Sequence, residues 1–260
     1  MAVGDDLLAA VQEVAREAGD LLRRSFRRPM SISYKGLANL VTDADTASER
    51  LIRTGLERIL PGVSFLGEES GGDLSVSGQT WVVDPLDGTT NFAHGFPWFC
   101  VSIALVEESQ PLLGVVYHPM MDECFIARRG SGAFCNGQRL AVSTIPSVAE
   151  SLLTTGFYYH KGDELSRQVT LFHRIHQKAQ TIRRPGSAAL DLAYVAAGYF
   201  DGFWEKGLAP WDVAAGFLLV REAGGVVTDY AGAPVSVDTA ETLATNGLIH
   251  HALRILLRGT

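Results

Sequence analysis

The stretch WVVDPLDGTTNF, Trp81 to Phe92, ends an apolar run on two aspartates three residues apart and follows them with Pro, Gly and two threonines. No lysine or arginine occurs between Arg58 and Arg128 to neutralise them, and this constrains the fold more than any other feature. The same segment carries nine acids: Glu68, Glu69, Asp73, Asp84, Asp87, Glu107, Glu108, Asp122 and Glu123. Desolvating an unpaired carboxylate costs on the order of several kcal/mol, so each must be paired, exposed, protonated or metal-bound.

An isolated DPLDG reads equally well as a polar turn, because Asp, Pro and Gly are common turn residues. Two features favour a site instead. Glu68 closes another apolar run through FLGEES, and Asp212 follows Trp211 at a helix start, bringing a carboxylate from the other half of the chain. Strand ends are where α/β proteins build sites. Hard oxygen ligands without Cys or His favour Mg2+, Mn2+ or Ca2+ over zinc. After Asp87, the backbone amides of Gly88, Thr89 and Thr90 would point at an anion if a helical turn begins there. Gly186-Ser187-Ala188 offers a second positive helix end. Carboxylates beside amide donors suit metal-assisted hydrolysis of a phosphate ester.

The whole chain has 260 residues, a net charge of −7 and a pI near 5.5. That balance argues against general nucleic-acid binding or docking on acidic membranes. Three cysteines without CxxC spacing suit a reducing compartment and suggest neither a disulfide framework nor a zinc site. The start MAVGDDLLAA does not read as a signal peptide, and no apolar run approaches the roughly 18–20 residues of a membrane span. The expectation is a cytoplasmic protein.

Helical periodicity opens the chain, from Leu7 to Leu22, and a second helix is expected from about Asp45 to Leu60, with Thr42 and Asp43 as caps and Pro61-Gly62 as its stop. Short β-like runs follow at Val63–Leu66, Trp81–Val83, Cys100–Val106, Leu112–Tyr117 and Glu123–Ala127. RRGSGAFCNGQ reads as a loop and hairpin. Beyond Thr144, helices at Leu165–Ala179, Ser187–Ala197 and from Trp211 to REAGG alternate with strand-like TIRR, YFDGFW and VVTDY, and a helix at His250–Leu257 ends the chain. The pattern predicts an α+β half, residues 1–144 with most metal ligands, and an α/β half, residues 145–260 supplying Asp212 and substrate contacts.

GEES (Gly67–Ser70), WVVDPLDGTTNFAHGFP (Trp81–Pro97) and WDVAAGFLLVREAGG (Trp211–Gly225) resemble, in order and separation, the three hallmark motifs of the inositol monophosphatase family. YKGLANLVTDAD and RGSGAFCNGQRLAVS extend the likeness over nearly the whole chain. The resemblance implies the layered α-β-α-β-α sandwich shared with fructose-1,6-bisphosphatase, and a magnesium-dependent, lithium-sensitive phosphatase using two or three ions. It implies Glu68, Asp84, Asp87 and Asp212 as metal carboxylates, with the Leu86 carbonyl as a further ligand and Asp84 bridging two ions. Asp45, rather than the neighbouring Asp43, and Thr89 would orient and deprotonate the attacking water. The Gly88 and Thr89 amides would hold the phosphate, and Ala188, Glu205 and Asp212 would contact inositol hydroxyls. A homodimer is implied as well.

Inositol 1-phosphate is therefore the expected substrate. Fructose 1,6-bisphosphate, 3′-phosphoadenosine 5′-phosphate and histidinol phosphate are the alternatives, and DPLDGTTNF differs from the DPLDGTKEF that relatives acting on the adenosine bisphosphate resemble. A binding protein that keeps the fold without turnover is the competing class. Among the histidines, His173 and His176 read as a solvated helix face, His94 as a structural residue close enough to the site to touch the loop or substrate, and His118 as part of a turn. Lys35-Gly36 suits either a group that screens the entering phosphate or an exposed loop, Tyr158, Tyr159, Phe203 and Trp204 suit a substrate cleft or, more often at such positions, core, and the basic RRSFRR suits a solvated helix end.

Overall fold

The computed structural model describes residues 4–28, 32–34, 40–75, 78–157 and 162–258. Helix α1 (Asp5–Ser25) precedes a two-stranded antiparallel ribbon, β1 (Ile32–Tyr34) and β2 (Leu40–Thr42), and helix α2 (Asp43–Ile59). Seven strands then build one sheet in chain order: β3 (Ser64–Gly67), β4 (Gln79–Asp87), β5 (Cys100–Glu107), β6 (Gln110–His118), β7 (Glu123–Arg128), β8 (Gly132–Cys135) and β9 (Gln138–Arg139). Only β3 and β4 pair in parallel, and the short helix α3 (Thr89–Ala93) follows β4. The remaining chain runs β10 (Leu152–Thr155), α4 (Asp163–His176), β11 (Thr181–Arg183), α5 (Ala188–Ala196), β12 (Gly202–Lys206), α6 (Pro210–Glu222), β13 (Val226–Thr228), β14 (Glu241–Thr245) and α7 (His250–Arg258). Its strands form a second sheet in the order β11-β10-β12-β14-β13.

Period-two burial explains the layering. Trp81 and Val83 of β4, Val101, Ile103 and Leu105 of β5, and Leu113, Val115 and Tyr117 of β6 pack with α1 and α2 on one face. Val82, Ala104 and Val116 point the other way, into a core shared with α5, α6 and the second sheet's Phe203, Val227 and Ala244. Helices α4 and α7 cover the far face of the second sheet around Trp204, Leu243 and Leu253. The result is the expected α-β-α-β-α sandwich.

Several boundaries differ from the sequence reading. α2 starts at Asp43, with Thr42 as its cap accepting the Ala44 amide at 3.2 Å. α4 spans Asp163–His176, earlier at both ends than expected, and α6 starts at Pro210, whose missing N–H is harmless at a first helical position. Strands β10 and β14 went unread because they are buried on both faces and show no alternation. Lys35-Gly36 and Tyr158-Tyr159 lie outside the described residues.

Helix α6 crosses β6 at Gly114, where an added Cβ would sit 2.8 Å from the Ala215 Cα. Backbone cannot move aside as a flexible side chain would, so Gly114→Ala overpacks the central layer by about 1–3 kcal/mol. The expected outcome is a melting temperature lower by roughly 3–10 °C in calorimetry. An unchanged melt would show that α6 does not sit this closely on the sheet.

Candidate active site and metal centre

Residues three apart on an unbroken strand face opposite sides of a sheet. Asp84 and Asp87 escape that rule. Asp84 lies opposite Ser102 and Asp87 opposite Cys100, so three steps along β4 match two along β5. The extra residue is a β-bulge, and it turns both aspartates to the same side. That side faces α5 and α6: Cys100 belongs to the shared inner core, and the Ser102 hydroxyl donates to the Trp211 carbonyl at 3.2 Å. The bulge is pinned from both directions. Ser48 Oγ donates to the Pro85 carbonyl at 2.8 Å, and the Leu86 amide donates to Asp84 Oδ1 at 2.9 Å.

Asp212 arrives on the first turn of α6, where one of its oxygens accepts the Ala209 amide at 2.7 Å. Carboxylate oxygens of Asp84, Asp87 and Asp212 then lie within 4.8 Å of one another. Burial, then the charges of Glu68, Asp87 and Asp212, pushes Asp84 well above the usual carboxylate range. Burial and Asp87 do the same to Asp212. Asp87 is pushed up to about 6 by burial, against the pull of its hydrogen bonds. No cationic side chain contributes to any of the three shifts. Crowded, buried, uncompensated oxygens fit a hard divalent cation. Glu68 follows β3, donates its amide to the Val83 carbonyl at 3.2 Å, and acts on Asp84 by charge from outside that tight trio.

The structure separates Asp45 from Asp43. Asp43 is exposed, whereas Asp45 is fully buried and accepts the Thr42 amide and hydroxyl, at 2.8 and 2.6 Å, on one oxygen. Its other oxygen accepts the Thr89 hydroxyl at 3.1 Å. Burial raises the proton affinity of Asp45 in spite of these bonds. The Thr89 hydroxyl also lies 3.0 Å from the Leu86 carbonyl, and its single proton serves one acceptor at a time. Gly88 opens α3 at φ 97°, and a Cβ there would meet the Trp98 carbonyl at 2.8 Å, so glycine is required. The amides of the first turn of α3 have no acceptor inside the helix.

The helix end at Gly186-Ser187-Ala188 is not left free. Asp87 occupies it, one oxygen accepting Ser187 Oγ at 2.8 Å and the Ala189 amide at 2.7 Å. Ala188 is the first residue of α5, beside that contact. Glu205, at the end of β12, is half-buried; burial and then the Asp87 charge push its carboxyl up to about 8, with Arg184 opposing. Asn91 spans both halves of the site, its amide nitrogen lying 2.8 Å from the Trp98 carbonyl and 3.0 Å from that of Pro185.

His173, His176 and His94 are exposed. His118 is no turn residue: it ends β6, fully buried against Trp98, and burial lowers its pKa to about 4. Phe203 and Trp204 are buried on opposite faces of the second sheet. Sequence reasoning missed Ser48, Ser187 as the partner of Asp87, and Asn91. Ser187 carried a legible sign as a helix cap; the other two act through contacts 37 and 94 residues away, and no local pattern announces such contacts.

A carboxyl whose folded pKa exceeds its unfolded value holds more protons folded than unfolded, so its contribution to stability falls as pH rises between the two. For Glu205 that window runs from 4.5 to about 8. Each unit across it is worth about 1.4 kcal/mol. Metal-free Glu205→Gln should therefore gain melting temperature relative to the unsubstituted protein between pH 5 and pH 9. A difference that stays flat across that range would refute the burial of a raised carboxyl.

A sequence profile of the inositol monophosphatase family matches residues 4–258. An inositol-1-monophosphatase of Mesorhizobium japonicum is 42% identical over 253 residues, covering 95% of this chain and 94% of its own. The Nus factor SuhB of Pseudomonas aeruginosa is 43% identical over 255 residues, again covering 95% of this chain and 94% of its own. The crystal structure of the extragenic suppressor protein suhB from Bartonella henselae superposes with a TM-score of 0.93 at 40% identity, over 98% of this chain and 99% of that one. With its carboxylate trio and its whole length accounted for in this way, the chain belongs to the inositol monophosphatase family.

Proposed function

We propose that this protein is a Mg2+-dependent phosphomonoester hydrolase that converts inositol 1-phosphate to myo-inositol and phosphate. The observation that carries the reading is the convergence of Asp84, Asp87 and Asp212 from both halves beside the Asp45–Thr89 pair. Glu68, Asp84, Asp87, Asp212 and the Leu86 carbonyl would hold the ions. Bound there, two or three Mg2+ ions would neutralise the ester oxygens and lower the pKa of water towards neutrality.

The chain's own residues do the rest. Thr89 donates its hydroxyl hydrogen bond to Asp45 and so turns lone pairs outward to accept one from the attacking water. Asp45, its proton affinity raised by burial, is placed to receive the proton that passes through that hydroxyl. The Gly88 and Thr89 amides hold the phosphate. Ala188, Glu205 and Asp212 meet the polyol hydroxyls, for which a carboxylate can accept from two neighbours.

We include in the proposal inhibition by Li+, a homodimer and residence in the cytoplasm. Exposed Phe96 and Tyr199 lie beside the tilted pair Trp98 and Tyr194, whose ring centroids are 5.0 Å apart, an aromatic patch suited to a second copy. All three cysteines are free, as a reducing compartment favours. No helix of the described residues is long and apolar enough to cross a membrane. The units 1–144 and 145–260 are proposed as halves of one catalytic body, supported by sheets drawn from either side of that boundary. Relatives named Nus factor SuhB favour a second, non-catalytic role; a partner retained by Asp84→Asn in affinity capture would support it.

Phosphate release from inositol 1-phosphate, fructose 1,6-bisphosphate, 3′-phosphoadenosine 5′-phosphate and histidinol phosphate tests the reaction. Turnover should require Mg2+ and favour the inositol ester. Asp45→Asn should lower kcat by about 10²–10⁴-fold with little change in KM; full turnover in that variant would remove Asp45 from the mechanism. Mg2+ should also raise the melting temperature of the unsubstituted protein but not of Asp84→Asn, because only binding to the folded state stabilises it. An equal rise in both would place the ions elsewhere.

A further inference from the structure

Glu49 is a buried acid, 5% exposed, to which the proposed reaction gives no part. An apolar side chain would be cheaper to desolvate at such a position. The Glu49 carboxylate is placed to hold backbone: its Oε2 accepts the Glu69 amide at 2.9 Å. Gly67 lies against the same oxygen, so close that a Cβ there would collide with it. Glu49 therefore meets the chain on both sides of Glu68.

Glu68 stands in the turn that follows β3. The turn is closed at its base, where the Gly71 amide donates to the Gly67 carbonyl at 2.9 Å and the Gly67 amide to the Gly71 carbonyl at 3.1 Å. Toward β4, the Glu68 amide donates to the carbonyl of Val83, the residue before Asp84. Those bonds leave the tip, Glu69 and Ser70, to be fixed from another element. Helix α2 reaches both. Glu49 takes the Glu69 amide, and one turn later Arg53 donates to Ser70 Oγ at 2.7 Å, its guanidinium 4.1 Å over the Phe65 ring of β3. Residues four apart on a helix share a face, so one face of α2 holds the tip of the turn.

The same helix sets two further parts of the site. Asp45 accepts the Thr89 hydroxyl, and Ser48 donates to the Pro85 carbonyl inside the bulge. Asp45, Ser48 and Glu49 stand at i, i+3 and i+4, neighbours on one side of α2. A rigid helix thus ties the turn carrying Glu68 to the bulge carrying Asp84. A carboxylate that accepts an amide makes a shorter and stronger bond than a neutral acceptor does, which offsets the desolvation of an acid here.

We propose that Glu49 is a positioning residue for Glu68: by holding the Glu69 amide it keeps the turn in one place relative to Asp84 before a divalent cation arrives. The proposal rests on Glu68 and the three aspartates as ligands, and it deepens that reading.

Mn2+ binding to the full chain, read without substrate from the EPR signal of the free ion, tests this role. Mn2+ suits the same oxygen donors as Mg2+. Glu49→Met keeps the bulk and removes the acceptor, and it should weaken binding by about 10–100-fold. Glu49→Gln keeps an acceptor without the charge and should restore most of the affinity. Glu68→Gln should also weaken binding. Adding Glu49→Met to it should then cost little more, because residues that act through one contact are not additive. Gly67→Ala reaches the same contact from the turn, its Cβ displacing the carboxylate, and serves if Glu49→Met does not fold. Unchanged binding in a folded Glu49→Met or Gly67→Ala, a Gln variant as weak as the Met variant, or a full second loss on Glu68→Gln would each overturn the proposal. An unsubstituted protein that binds no Mn2+ would overturn the metal reading with it. One that binds Mn2+ and releases no phosphate from any ester would overturn the phosphatase reading and leave the role of Glu49 intact.

Discussion

Mutual repulsion among Asp84, Asp87 and Asp212 is the constraint to which the rest of the structure answers. Each is supported by one or two neutral donors instead of a counter-cation: the Leu86 amide for Asp84, Ser187 Oγ and the Ala189 amide for Asp87, the Ala209 amide for Asp212. Amides and hydroxyls orient a carboxylate without cancelling its charge, so proton affinity stays raised at all three. A lysine nearby would relieve the strain and occupy the oxygens. The missing bases between Arg58 and Arg128 are therefore the condition for a cation site, and the fold carries the cost as an apo state that is electrostatically unfavourable.

That cost is tolerable because the trio sits on a seam that packing holds shut. Val82, Ala104 and Val116 of the first sheet and Phe203, Val227 and Ala244 of the second bury one common layer around α5 and α6. Asn91 adds a polar stitch from α3 to the loop before α5. Repulsion between Asp87 and Asp212 would open a soft interface; here it must displace two helices and two sheets together. The same rigidity sets the distances among the three acids before any ligand arrives.

What the sequence disclosed follows from the range of the interactions involved. The layering was legible because alternation is a local signal, whereas β4 runs on past Val83 to Asp87 and α6 starts at Pro210, one residue before the Trp211 that was read. The family motifs named Glu68, Asp84, Asp87 and Asp212 together, although they come from three separate elements. The preference for Asp45 over Asp43 rested on likeness alone; burial and the Thr89 bond now give it a physical ground. Strands β10 and β14 were hidden by burial on both faces. The bulge was hidden for another reason: DPLD on paper sends its two acids to opposite faces, and only pairing against Ser102 and Cys100 shows that they share one.

The bulge in a mostly antiparallel sheet brings Asp84 and Asp87 to one face, where Asp212 from the other half of the chain meets them. Glu205 comes to the same field from the second sheet, its carboxylate lying over Gly156 and its proton affinity raised first by burial and then by the Asp87 charge. A change at Glu205 is therefore felt at the carboxylates through charge, whereas Gly156 must stay without a side chain because a Cβ there would collide with the Glu205 carboxylate.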